Sequence, residues 1–184
     1  KPRLIVLGGG FAGLQLLENI KKDQFDILLI DPLNHHQFQP LFYQVATSQI
    51  EPSSISFPFR KIFHNVKNFH FRLAEALEIK TEENLLICNI GSIKYDYLIL
   101  AIGADTNYFG NNILKTTTMP MKSIVEALYI RNKIIENYEY AIYNQTEDSL
   151  ETILSMVIVG GGATGVEVSG AIAEMKTNIL PYDY

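Results

Sequence analysis

Apolar residues first gather in the run Leu4-Ile5-Val6-Leu7, which ends in three glycines and gives way to helical spacing through Leu14, Leu17 and Ile20. The change of period predicts a strand, a tight turn and a helix over residues 4–21. Asp26-Ile27-Leu28-Leu29-Ile30 is apolar on both faces and stops at Asp31-Pro32, the pattern of a buried parallel strand ended by proline. The opening is therefore read as βαβ. Residues 34–65 are rich in His, Gln, Phe, Pro and Ser, and Pro40, Pro52 and Pro58 interrupt any long element, so the stretch is read as loop plus short helix.

Phe69-His70-Phe71-Arg72-Leu73 alternates as a strand. Residues 76–80 and 85–89 form hairpin strands across the polar turn Thr81-Glu82-Glu83-Asn84, which predicts a small antiparallel insertion. Residues 95–103 are a further apolar strand ending in Gly103, expected to return to the main sheet. Ser123-Ile124-Val125-Glu126 has the spacing of a capping box, and a helix follows through Leu128, Ile130, Ile134 and Ile135. Residues 153–159, the glycines 160–162 and the segment 166–179 repeat the opening strand, turn and helix. The expected fold class is α/β, with a Rossmann-like parallel sheet, a small antiparallel β insertion and the start of a second Rossmann-like unit.

Composition narrows the chemistry. Hydrophobic residues make up 47% and charged residues 19% of the 184, the balance of a domain that buries a core. The formal charge of -5 and the absence of a long Lys/Arg run leave no basic surface for nucleic acid, so no nucleic-acid partner is expected. Phosphate recognition then falls to backbone amides. Cys88 is the only cysteine, which excludes an internal disulfide, a thiolate metal cluster or a dithiol pair within these residues. His35 and His36 lack companions at ligand spacing and read as loop histidines, so no metal site is expected. With no leader of signal-peptide type and no apolar stretch of spanning length, cytoplasmic exposure is expected.

Gly8-Gly9-Gly10-Phe11-Ala12-Gly13 fits G-x-G-x-x-G between a strand and a helix. The first glycine permits the turn, Gly10 lets backbone approach a diphosphate, and Gly13 lets the helix pack against the strand. Gly8, Gly10, Phe11, Ala12 and Gly13 are therefore candidate cofactor residues; a tight turn without ligand is the plain alternative. Asp31, about twenty residues on at a strand end, is placed to accept from ribose hydroxyls, or else is a solvated turn residue. Gly160-Gly161-Gly162-Ala163-Thr164-Gly165 is a second fingerprint, so Gly160, Gly162 and Gly165 are candidates for a second dinucleotide.

The stretch His35-His36-Gln37-Phe38-Gln39-Pro40-Leu41-Phe42-Tyr43-Gln44-Val45-Ala46, taken with both glycine motifs, resembles the type II NADH dehydrogenases, single-chain FAD enzymes that pass electrons from NADH to a membrane quinone. The resemblance extends through Phe57-Pro58-Phe59-Arg60, Asn107-Tyr108-Phe109-Gly110 and Met121-Lys122-Ser123. It implies FAD and NAD(H) as cofactors, NADH and quinone as substrates, Gln39, Pro40 and Leu41 near the isoalloxazine ring, and Gln44 toward the quinone. Ordinary core packing is the alternative for the aromatic cluster. Ala101-Ile102-Gly103 resembles the Ala-Thr-Gly used near FAD, with Ile102 in place of Thr, so Ala101 and Gly103 are candidates through backbone alone. Glu167 matches the family's Gly-Val-Glu and, with Gln44, is a candidate for tuning or proton delivery; an acid interacting with the helix dipole is its alternative. Ala163 stands where the family has Pro.

On this resemblance, residues 1–150 are expected to be the first part of an FAD-binding domain and residues 151–184 the truncated beginning of an NAD(H)-binding domain. The chain is expected to be an N-terminal fragment of a protein peripheral on the inner face of the cell membrane, with membrane contact through sequence not present here and a homodimer left open. Other two-dinucleotide flavoproteins stay as alternatives: sulfide:quinone reductases and ferredoxin or rubredoxin reductases. So does a non-catalytic nucleotide-binding redox sensor. Disulfide reductases are disfavoured by the lone Cys88.

Overall fold

Strand alternation explains how the first layers form. In a computed structural model describing residues 1–144 and 147–184, β1 (Arg3–Leu7) and β2 (Asp26–Asp31) send successive side chains to opposite faces. Leu4, Val6, Ile27 and Leu29 face one side, where they pack with Leu17 of α1 (Phe11–Asn19) and with Phe59 and Phe63. Ile5, Leu7, Leu28 and Ile30 face the other, against Ala74, Leu86 and Cys88. A strand buried on both faces reads as a continuous apolar run, which is why these two were legible.

With β5 (Phe69–Leu73) and β9 (Tyr97–Leu100), these strands form one sheet in the order β5-β2-β1-β9, every neighbouring pair parallel. Counting only its own strands, that order is 3-2-1-4, as in a Rossmann sheet. Two small antiparallel sheets accompany it: β3 (His35–Gln37) with β4 (Ser56–Pro58), and the meander β6 (Ala76–Lys80), β7 (Leu85–Cys88) and β8 (Gly91–Lys94). Asn84 closes the turn into β7 at φ +49°, a left-handed conformation that Asn tolerates.

The chain divides into two compact units. The first comprises Lys1–Gln37 with Ser56–Ala104, and the second Phe38–Ile55 with Asp105–Tyr184. The first holds the sheets, α1 and α3 (Phe59–Ile62). The second is helical: α2 (Phe42–Ala46), α4 (Asn112–Thr117), α5 (Ile124–Tyr143), α6 (Glu147–Leu154), α7 (Ala163–Asn178) and α8 (Leu180–Asp183). Within it α2 packs on α5 and α7, burying Phe42, Val45, Ala46 and Ile55 with Ile124 and Ala127. A second cluster joins Ile134 and Tyr138 to Met175 and Leu180.

Several expectations are corrected. No strand covers residues 153–159: Ile153 and Leu154 end α6, and residues 155–161 have no regular structure. A strand needs hydrogen-bonded neighbours; this segment pairs with none among the described residues, and Val157 is 85% exposed. The helix α7 begins at Ala163 rather than at residue 166. Residues 34–65 are more ordered than a loop with one helix, since β3 pairs with β4 and short helices follow each. The hairpin is a three-stranded meander, because Gly91 turns the chain at φ +120° and opens β8. The apolar run 95–103 is a strand only over Tyr97–Leu100. The capping box is half formed: Ser123 Oγ accepts from Glu126 N at 3.2 Å, while Glu126 Oε2 accepts from Lys122 N at 2.6 Å, one residue before the cap.

Candidate functional site

β1 ends and the chain must reverse into α1 within three residues, so the glycines carry the turn. Gly8 adopts φ +96°, a conformation open to glycine and strained for other residues. Its amide donates to Ile30 O at 2.9 Å, tying the turn to the end of β2. A Cβ on Gly8 would lie 2.3 Å from the Ala101 carbonyl oxygen, and one on Gly13 1.9 Å from Gly8 O and 3.5 Å from Ala101 Cβ. Ala101 in turn donates its amide to Leu7 O at 2.8 Å. Gly8, Gly13 and Ala101 therefore form one close-packed corner at the ends of β1 and β9.

Gly10 is the exception. It caps α1 without a side-chain hydrogen bond, and a Cβ on it would meet nothing within 4 Å. Gly10, Phe11 and Ala12 are exposed at the head of the helix, whose first i→i−4 bond is Leu14 N to Gly10 O at 2.9 Å. Helix geometry gives its first-turn amides no acceptor within the helix, and the positive end of the dipole lies there. Of the four glycines in the turn, Gly8, Gly9 and Gly13 would each press a Cβ into protein, and Gly10 alone would not. That opening fits a dinucleotide's diphosphate, and Gly10, Phe11 and Ala12 are the residues that would hold it.

Asp31 is committed within the turn. Its Oδ2 accepts from Gly9 N at 2.6 Å and its Oδ1 from Leu33 N at 2.7 Å. A carboxylate has about four lone-pair sites, so two acceptor positions are left for a ribose. Gly103, at φ +70°, is exposed, and a Cβ there meets nothing within 4 Å.

Other expected residues belong to the second unit. Gln39, Pro40 and Leu41 form a single 3-10 turn leading into α2. Phe42 is buried in the core cluster, so for that ring the packing reading holds. Gln44, half-buried on α2, donates through Nε2 to Tyr43 Oη at 3.1 Å. Glu167 is exposed on α7, and because that helix packs on α2, Gln44 and Glu167 sit on neighbouring helices. Glu167 is the fifth residue of α7, whose first turn holds no acid, so a dipole role at the helix start does not explain it.

The second glycine turn repeats the first. Gly160 has φ +112°, a Cβ on Gly165 would lie 2.0 Å from Gly160 O, and Gly162 caps α7 without a side-chain bond and with no neighbour within 4 Å of a Cβ.

Two residues that the sequence alone does not place at the first turn complete it. A Cβ on Gly9 would lie 2.1 Å from Phe59 Cζ, so a fully buried ring occupies the space beside the middle glycine. Phe59 packs in turn on Phe71, centroids 5.3 Å apart, and Arg60 lies 4.8 Å over the same Phe71 ring. His36 is 4% exposed and sits on β3, not in a loop, with Nδ1 2.9 Å from Gly9 O. Only the third consecutive glycine hinted at this; neither partner is near it in sequence. Among the described residues no group of three or more His, Cys, Asp or Glu side chains is arranged to hold a metal ion.

The family described as pyridine nucleotide-disulphide oxidoreductase matches residues 2–180. Among curated proteins, the type II NADH:quinone oxidoreductases Ndh and NdhA of Mycobacterium tuberculosis are 35% and 37% identical, each over 98% of this chain. Among solved structures, NDH2 from Plasmodium falciparum in complex with NADH superposes with a TM-score of 0.94 at 30% identity, covering all of this chain and 39% of that one. The chain spans about 40% of the length of the curated relatives it matches.

Proposed function

Since this chain belongs to the pyridine nucleotide-disulphide oxidoreductase family, we propose that the full-length protein is an FAD-dependent NADH:quinone oxidoreductase. The observation that carries the reading is the glycine turn at Gly8–Gly13, where a Cβ on Gly8, Gly9 or Gly13 would strike protein and one on Gly10, at the head of α1, would meet nothing. The curated relatives support the same reaction by name, and the similar NDH2 from Plasmodium falciparum is solved in complex with NADH.

In this reading residues 1–150 hold FAD, and residues 151–184 begin the NAD(H)-binding domain around Gly160, Gly162 and Gly165. When bound, FAD supplies the electron carrier between NADH and quinone. The protein's part is position and charge. Amides at the head of α1 would donate to the diphosphate, and Asp31, while holding Gly9, would accept from ribose. Gln39, Pro40 and Leu41 line the ring, and Ala101 and Gly103 contribute backbone. Gln44 and Glu167, on packed helices of one unit, orient the reacting ends or move a proton.

Quinones dissolve in lipid, so the protein works peripherally at the inner face of the cell membrane; no helix of the described residues is long and apolar enough to cross one. A homodimer belongs to the same proposal and is tested by solution mass. Dithiol chemistry would need a second cysteine outside these residues, and burial pushes the Cys88 thiol up, away from the reactive thiolate.

The full-length protein should be yellow, bleach on addition of NADH and regain colour with a quinone. Bound nucleotide without bleaching would replace the enzyme by a sensor. Glu167→Gln should slow flavin reduction by NADH or reoxidation by quinone; unchanged rates for both would remove Glu167 from the mechanism.

A further inference from the structure

The geometry points to His36 as a positioning residue that sets which way the Gly9-Gly10 peptide faces and so aims the Gly10 amide at the bound diphosphate; this rests on the FAD reading above. Two successive glycines leave the peptide between them free to invert, because neither carries a Cβ that would resist it. In a trans peptide the carbonyl and the following N–H point in opposite directions. Fixing the Gly9 carbonyl therefore fixes the Gly10 amide.

His36 does the fixing. Gly9 O can only accept, so the 2.9 Å contact requires the proton on His36 Nδ1. With the carbonyl turned toward this buried ring, the Gly10 N–H points the opposite way, and Gly10 itself is exposed. The inverted peptide would aim a carbonyl oxygen at an anion and strand a buried imidazole N–H without its acceptor. The preceding peptide is also held, since Gly9 N donates to Asp31 Oδ2 at 2.6 Å.

The ring is itself anchored. β3 pairs with β4 so that His36 lies opposite Phe57, and the His36 ring meets Phe11, the first residue of α1, edge to face at 5.1 Å. Position, orientation and the helix head are thus set by one side chain. His36 works through a single fixed donor.

The test uses the full-length protein stripped of flavin and titrated with FAD. His36→Phe keeps the ring's bulk and removes the donor; its dissociation constant for FAD should rise about tenfold to a hundredfold. His36→Asn places an amide N–H at the same distance along the side chain and should recover most of that loss, with the melting temperatures of both apo proteins near the native one. In the native protein, ¹⁵N spectra of labelled histidine should show His36 protonated on Nδ1, a readout that needs no variant to fold. Unchanged FAD affinity in His36→Phe overturns the inference, as does a bare Nδ1 in the native protein. So does a pair in which both variants bind equally weakly and both apo proteins melt lower, the mark of packing alone. A native protein that takes up no FAD brings down the functional reading and this one with it.

Discussion

Gly8 turns the chain at φ +96° and Gly160 at φ +112°, and in each turn the glycine five residues later lies where a Cβ would strike the first glycine's carbonyl oxygen. Beyond that local agreement the turns part. Around the first stand Asp31 on the Gly9 amide, His36 on the Gly9 carbonyl, Phe59 against its Cα and Ala101 against Gly8. Around the second, Cβ atoms built on Gly160, Gly161 and Gly162 meet nothing within 4 Å among the described residues. The spacing of first and last glycine is thus demanded by contacts within six residues. The middle glycine is demanded only where something distant leans on it.

Breaking the brace gives the largest effect. Phe59→Ala removes a fully buried ring from beneath Gly9 and should cost about 3–5 kcal/mol of unfolding free energy by denaturant titration. A smaller effect separates the ligands of the two turns. Gly10→Val should leave the full-length protein folded but weaken FAD binding at least about a hundredfold, giving colourless protein. Gly162→Val should keep the colour and weaken NADH instead. If both stay yellow and both respond to NADH, the open glycines do not mark where diphosphates bind. Smallest is the middle-glycine pair. Gly9→Ala must displace Phe59 and should destabilise by about 1–3 kcal/mol, whereas Gly161→Ala should stay within about 0.5 kcal/mol. Equal costs would mean that the brace at Gly9 yields without strain.

The same contrast explains what the sequence disclosed. β1, β2 and both glycine turns were legible because their signals are local: continuous apolar runs and a spacing enforced by a near contact. Gln44 and Glu167 could be picked out only through the family likeness, and packing of α2 on α7 then set them on adjoining helices. His36 and Phe59 were not legible as parts of the turn. Each reaches Gly9 across 27 and 50 residues, and nothing in their immediate neighbours distinguishes them from core aromatics or loop histidines. Residues 153–159 failed in the opposite direction. Their composition is that of a strand, but a strand is a relation between segments, and no described segment pairs with this one.

Cys88 closes β7 within the cluster that lines the sheet's second face, and it is the only thiol in these 184 residues. Hidden and held protonated, it reacts with an alkylating reagent only in moments when the meander lifts away from β1 and β2. The rate at which mass is added to the Cys88 peptide therefore counts those liftings. It gives the first unit a clock for local opening that runs independently of any cofactor signal.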